Sequence, residues 1–349
     1  MFKDLGLSVY VSAFARQKQS LEALAGSGTF VFTSFHIQEE FDADYVDAAR
    51  AMSNWLKSSG FRILADVSPK TLKVFGHEDI LGFARELGLD ILRLDYGFSL
   101  AEMLAVAEEF PLAFNASTVD AATAEKIVAA GGEVYAMHNF YPRPETGLDP
   151  CQFARLNAEL RRLGIKVLAF IPGDEEKRGP IHAGLPTVEA HRSLPPYLAY
   201  LEMAIKFGLD GIFLGDLGLS SGQRRLIAGH CRTGVVAVPS QLLPRYRYLY
   251  NQVFTIRPDS PLLVKRIHES REYSCPGDLM EPDNCGERAA GAITMDNRLY
   301  GRYSGEIQIL ARSLPQDERV NVIGQVSADY IGILPCLTNS GKIKLVPGP

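Results

Sequence analysis

Residues 112–140 read LAFNASTVDAATAEKIVAAGGEVYAMHNF. A short β-rich apolar run, LAFNAS (112–117), leads into an amphipathic stretch from Thr118 to Ala130, a glycine at Gly131 and a second apolar run, EVYAMHNF (133–140). These signals predict strand, helix, helix-stopping glycine and strand, and two strands joined through a helix form a parallel crossover. The unit repeats in both directions along the chain. Strands are predicted at LGLSVYVS (5–12), GTFVFTSF (28–35), RILADVS (62–68), ILRLDY (91–96), KVLAFIPG (166–173) and GIFLGD (211–216). Amphipathic stretches lie between them, among others Asp42 to Ser59, Ser99 to Glu109, Asp149 to Leu163 and Thr187 to Phe207. Ser99 with Glu102 forms a capping box, and Gly60, Gly88, Gly164 and Gly208 stop helices as Gly131 does. Eight such strands predict an α/β fold of the (β/α)8 TIM-barrel type, because eight parallel strands with helical crossovers close a sheet. A doubly wound open sheet is the rival, but no G-x-G-x-x-G follows the first strand.

Beyond about residue 235 the helical period stops. Runs QVFTI (252–256), AAGAITM (289–295), GEIQILA (305–311), NVIGQV (321–326) and GILPCL (332–337) alternate with Gly, Pro, Asn and Asp. They predict a second, mostly-β domain, read as a small closed barrel, so the expected division is 1–235 and 236–349. Pro239 to Tyr250 is read as the hinge or interface strip between the two.

The chain has 349 residues, 46% apolar and 22% charged, with no uninterrupted apolar tract of membrane-spanning length. This composition disfavours disordered, collagen-like and transmembrane classes. A net charge of −5 and a pI near 5.9 supply no global field for phosphate backbones or membrane surfaces, so neither nucleic acid nor membrane is an expected partner. Cys151, Cys231, Cys275, Cys285 and Cys336 include no C-x-x-C pair and are too scattered for a disulfide framework, which suits reduced thiols in a cytoplasm. Lys3 before the run Leu5 to Ala15 imitates a signal peptide, but Asp4 spoils its charged region and the run itself supplies the first strand.

In a (β/α)8 barrel the working groups gather at the carboxyl ends of the strands. The candidates there are Asp66, Asp95, Asn115, His138, Asn139 and Asp216. Asp66 and Asp95, taken at equal heights on adjacent strands, would fall within the about 5 to 9.5 Å used by paired acids in glycoside hydrolysis, one retaining a proton beside its ionised partner. The alternative is a salt bridge from either aspartate to Arg93. The proline-stiffened loop after strand six adds Tyr141 and Arg143, while His138 reads equally as a satisfied core histidine. The long insertion after strand seven carries Lys177 and Arg178, a cation pair suited to an anionic sugar or merely solvated. Glu189 and Arg192, one turn apart beyond it, could bind substrate or pair with each other. No nucleophile elbow, P-loop, H-E-x-x-H or Cys/His cluster is present, so no cofactor is implied. A barrel lyase or isomerase with a divalent ion gathered by Asp66, Asp95 and Asp216 remains a rival.

The segments FVFTSFHI, ILADVSP, LRLDYGF, MHNFYPRPETGL, AFIPGDEEKRGP and GLPTVEAHR, with GAITMDNRLYGRYSGEIQI and DERVNVIGQV, resemble the bacterial 6-phospho-N-acetylmuramidase family. The likeness runs almost the whole length. It implies a TIM barrel followed by a cyclophilin-like β domain. The implied activity is hydrolysis of the β-1,4 bond joining N-acetylmuramic acid 6-phosphate to N-acetylglucosamine, a cytoplasmic step in cell-wall recycling. Such a substrate would set Asp66 and Asp95 to catalysis and Asn115, His138, Asn139, Tyr141, Glu189 and Asp216 around the sugars. Arg143, Lys177, Arg178 and Arg192 would meet its phosphate and lactyl carboxylate. The resemblance has one departure: many members carry Tyr-Pro-Glu where this chain has Tyr10-Val11-Ser12, so a carboxylate is missing from the barrel mouth. That keeps a non-catalytic phosphosugar sensor as a second alternative. The second domain is expected to close over the barrel mouth or to set oligomer packing, a homodimer among the options.

Overall fold

The computed structural model describes residues 2, 4–37, 44–274 and 280–348. Lys3, the start of the Asp42 to Ser59 stretch, and Cys275 lie outside the described residues. The chain divides into two compact units, Met1–Arg224 and Arg225–Pro349.

The first unit is a closed barrel of eight parallel strands in sequence order. They are β1 (Gly6–Ser8), β2 (Phe30–Ser34), β3 (Arg62–Val67), β4 (Ile91–Leu94), β5 (Leu112–Asn115), β6 (Val134–Met137), β7 (Lys166–Ile171) and β8 (Gly211–Leu214). Pairing of β1 with both β2 and β8 closes the ring. Each strand is one to four residues shorter at its carboxyl end than its apolar run, because the polar residues there turn into loops. Both faces are buried, which is why the strands read as continuous apolar runs. Phe30, Phe32, Leu64, Ile91, Tyr135, Leu168, Phe170 and Phe213 pack together as one core, and a larger core lies between strands and helices.

The predicted helices form with their caps. Ser99 and Glu102 make the reciprocal capping box on Leu100–Glu109, and Asp149 accepts from Cys151 and Gln152 at the start of Pro150–Arg162. The exception is the stretch Thr187 to Phe207. It breaks into a 3-10 turn at Glu189–His191, an α-helix at Pro196–Leu201 and a π-turn at Glu202–Lys206, since Pro195 and Pro196 have no N–H to continue the first turn.

The second unit is a curled seven-stranded sheet: β9 (Val236–Leu242), β10 (Val253–Thr255), β11 (Val264–Arg266), β12 (Ala292–Asp296), β13 (Ile307–Leu310), β14 (Val320–Val326) and β15 (Lys342–Pro347). Their order is β10-β15-β9-β14-β12-β13-β11, and a single antiparallel bridge between Ile256 and Ile267 joins the two edges. One expectation is corrected here. GILPCL (332–337) lies in a 3-10 helix, Ala328–Cys336, since Pro335 cannot donate to a ladder. Within the strip Pro239 to Tyr250, Pro239 lies inside β9, where pairing with β14 begins only at Ser240. Cys151, Cys231, Cys285 and Cys336 form no disulfide, and no helix among the described residues is long and apolar enough to cross a membrane.

Candidate active site

Side chains alternate across a strand, so a residue's distance from a known interior neighbour tells which way it points. Phe32 on β2, Leu64 on β3, Ile91 on β4 and Tyr135 on β6 belong to the core that fills the barrel. Stepping two residues at a time from each gives Ser34 and His36, Asp66, Arg93 and Asp95, and Asn139. All six line one cavity of about 880 Å³.

Register refines the expected acid pair. Asp66 stands opposite Ser34 and Arg93, so Asp95 sits one level above Asp66 and not beside it. Arg93, 2% exposed, donates from Nη1 to Asp66 Oδ1 at 2.6 Å, lies 3.6 Å from Asp95 Oδ1, and donates from Nη2 to Asn139 Oδ1. The anticipated salt bridge therefore forms, with the cavity alongside it. Oxygens of the two carboxyls still come within 4.8 Å of each other and of a His36 ring nitrogen. Burial pushes the Asp66 carboxyl above its usual range. Arg93 and His36 pull against that shift, while Asp95 adds to it.

The rest of the cavity supplies two further surfaces. Phe32, Phe140 and Phe170 meet edge to face, with ring centroids 4.9 to 6.2 Å apart. Arg16, Arg178, His182 and Ser12 bring donors, and Ser12 is the position where the family resemblance expects a glutamate. The Arg178 guanidinium lies 4.1 Å over the Tyr10 ring, and its backbone N–H donates to Asp216. Arg16 pairs with Glu176 at 2.6 Å.

Several predicted site residues lie outside the cavity lining. His138 has the parity of Ala136 and points toward the helix Pro150–Arg162. There Nε2 pairs with Asn157 Oδ1 at 2.7 Å, and Nδ1 pairs with Ser117 Oγ at 3.0 Å. Burial lowers its pKa to about 4, so it is a neutral core histidine. Asp216 has the parity of Ile212 and Leu214. It accepts from the N–H groups of Gly173, Arg178 and Leu185, pinning both ends of the strand-seven insertion. Glu189 and Arg192 do pair, bidentately at 2.6 and 2.7 Å. Glu189 also accepts from the N–H groups of Glu145 and Gly147, and Arg192 donates to the carbonyls of Gly184 and Tyr141. The two clamp the loops after β6 and β7 together. A Cβ at Gly147 would lie 2.8 Å from the Glu189 backbone, so only glycine permits the approach.

Tyr141 contributes backbone groups to that clamp, Arg143 is exposed, and Lys177 faces Asp216. Asn115 reaches the site indirectly, donating to Asp95 Oδ1 at 3.3 Å. Asp66, Asp95, Asn139 and Arg178 are the predicted residues that the fold brings together. Sequence reasoning does not single out His36, Ser34 or the aromatic trio; strand parity is the signal for His36, Ser34, Phe32 and Phe170, whereas Phe140 has the outward parity of His138 and reaches the cavity from the loop after β6.

The divalent-ion site of Asp66, Asp95 and Asp216 is not assembled, because Asp216 is committed to three backbone donors, although His36, Asp66 and Asp95 do bring one nitrogen and two oxygens within 4.8 Å of one another. At the Asp66–Asp95 pair, the Arg93 guanidinium already supplies the positive charge that an ion would bring.

The family described as "6-phospho-N-acetylmuramidase, N-terminal" matches residues 5–228, and its C-terminal counterpart matches 237–346. The chain belongs to the 6-phospho-N-acetylmuramidase family. That name makes it a member of a glycoside hydrolase family. A crystal structure of a conserved protein of unknown function from Enterococcus faecalis is 29% identical. It superposes with a TM-score of 0.83, covering 99% of this chain and 96% of that one. A B. cereus protein at 23% identity, with 99% and 100% coverage and a TM-score of 0.82, shares the fold. No curated protein matches the chain.

Proposed function

We propose that the chain hydrolyses the β-1,4 bond between N-acetylmuramic acid 6-phosphate and N-acetylglucosamine. The observation that carries this reading is the pair of carboxyls from adjacent strands, with oxygens within 4.8 Å of each other, lining a cavity large enough for a sugar. Asp66, 4% exposed and raised by burial, holds the proton and delivers it to the leaving oxygen. Asp95 receives a hydrogen bond from Asn115 and lies near Arg93, surroundings that suit a carboxylate. It attacks the anomeric carbon or orients the substrate acetamide to do so.

Inverting enzymes separate their carboxyls by about 6.5 to 9.5 Å to admit a water, whereas retaining enzymes hold them at about 5 to 5.5 Å. Attack by Asp95 is the retaining route, in which Asp66 first protonates the leaving oxygen and then takes a proton from the water that releases the sugar. The aromatic trio offers a surface for the apolar face of the sugar, and Arg178 with Arg16 offers charge for the phosphate. The cycle needs proton transfer, attack by the carboxylate or the acetamide, and water alone, so the reading calls for no cofactor. A substrate phosphorylated on uptake suits a cytoplasmic enzyme.

The test is incubation of the purified protein with the phosphorylated disaccharide, followed by proton NMR. Release of N-acetylglucosamine with the β-anomer of the phosphosugar formed first is the expected result. Binding without release would make the protein a phosphosugar sensor, and an α-anomer would overturn the retaining mechanism.

A further inference from the structure

His36 follows β2 by two residues on the inward parity, and its ring stands between the two acids. Nδ1 lies 3.3 Å from Asp66 Oδ2 and 3.2 Å from Ser34 Oγ, and Nε2 lies 3.7 Å from Asp95 Oδ2. The ring edge meets Tyr96 at 5.8 Å between centroids, Arg93 backs both acids, and Arg178 and His182 line the same cavity. The 3.7 Å approach is longer than a formed hydrogen bond, as is common for reacting groups before substrate closes on them.

A neutral imidazole has one donor nitrogen and one acceptor nitrogen, whereas imidazolium has two donors. A ring faced by carboxyl oxygens on both edges is therefore matched in only two ways. Either it is imidazolium between two carboxylates, or it is neutral with one of the carboxyls protonated. Both arrangements hold the same number of protons and differ only in where one of them sits.

We propose that His36 is a positioning residue that bridges Asp66 and Asp95 and shares one proton with them, so that the two carboxyls are never protonated together. This rests on the hydrolase reading above and deepens it. The proton that leaves Asp66 for the glycosidic oxygen returns from the attacking water, and the ring keeps its own. Ser34, which donates to Asp66 Oδ2 at 3.5 Å, fixes the ring on the Asp66 side.

The experiment compares the wild-type protein with His36→Gln and His36→Ala on the phosphorylated disaccharide across pH. Glutamine is expected to lower kcat by about 10- to 100-fold, less than the about 10²- to 10⁴-fold tied to a general acid itself, with KM little changed. A positive ring favours ionised Asp66, so removing it should move the basic limb of the profile to higher pH. Imidazole added to His36→Ala should restore part of the rate. A glutamine variant whose rate and profile superimpose on the wild type overturns the proposal, as does failure of imidazole to rescue. If the wild type does not turn over the disaccharide, the substrate reading fails by itself. The bridge is then read from the ¹³C carboxyl titration of Asp66, assigned with Asp66→Asn. A higher titration pH in His36→Gln than in wild type supports the bridge, and an unchanged one overturns it.

Discussion

On the β2–β4 side of the barrel mouth, His36, Asp66 and Asp95 share the parity of Phe32, Leu64 and Ile91 and end in the cavity. On the β6–β8 side, His138 and Asp216 share the parity of Ala136 and Ile212 and end among helix side chains and loop N–H groups. The residue types are alike and both sets are largely buried. What separates them is the partner. The first set meets side chains that themselves need charge compensation. The second satisfies groups that would otherwise be buried without a hydrogen bond, a cost of about 1 to 3 kcal/mol each. A polar residue at a strand end is thus available for chemistry only where the loops make no claim on it.

The sharpest way to break this contrast is to remove charge on the cavity side. Asp66→Asn and Asp95→Asn should each lower kcat by about 10²- to 10⁴-fold, with KM changed far less. Asparagine at 66 also leaves Arg93 without the carboxylate it bonds at 2.6 Å, so a thermal melt run beside the kinetics separates lost chemistry from lost folding. Near-normal turnover in both variants would mean that the β2–β4 cluster is as structural as its counterpart.

The fold was legible because it rests on signals that recur: eight apolar runs, helix-stopping glycines and the Ser99–Glu102 box are each set by local chemistry. The site was legible in part. Asp66, Asp95, Asn139 and Arg178 could be named from their place after a strand. His36 is hidden, because the apolar run of its strand ends at Phe35 and a lone histidine beyond a strand end looks like loop. Position after a strand alone groups His138 and Asp216 with the acids, whereas counting in twos from Tyr135 and Phe213 turns both outward. The Glu189–Arg192 clamp was visible as one of two readings, but its carbonyl and N–H partners lie more than 40 residues away for Tyr141, Glu145 and Gly147. No local pattern encodes such distant contacts.

The structural side is tested by pH. Buried His138 has its pKa lowered from 6.5 to about 4, so as pH falls the unfolded chain takes up the proton before the folded one does. Its contribution is intact above about pH 6.5 and is lost progressively down to about pH 4. The full loss is about 3 kcal/mol at 1.36 kcal/mol per unit. Asp66 and Asp216, raised by burial, give a slope of opposite sign, so the informative quantity is the difference between wild type and His138→Gln at each pH. Urea midpoints between pH 7 and 4 should show the wild type losing its advantage over the variant. A constant difference would mean that His138 is charged in the folded state, and hence that this side of the mouth is not the inert one.

The smallest effect concerns Lys177 and Arg178, neighbours in sequence that the fold separates. Arg178 lines the cavity with its guanidinium over Tyr10, whereas Lys177 lies outside the lining and faces Asp216. Arg178→Ala should raise KM for the phosphorylated disaccharide by about 10- to 100-fold, the equivalent of a charged hydrogen bond of about 1.5 to 3 kcal/mol, and should change the unphosphorylated analogue little. Lys177→Ala should leave both KM values near the wild type. Arg178→Lys keeps the charge but gives up the planar stacking and the forked donor geometry, so it should fall between alanine and wild type. Equal KM changes from the two alanine variants would mean that the doublet acts as diffuse charge. The line between cavity-facing and loop-holding residues would then have to be redrawn along β7.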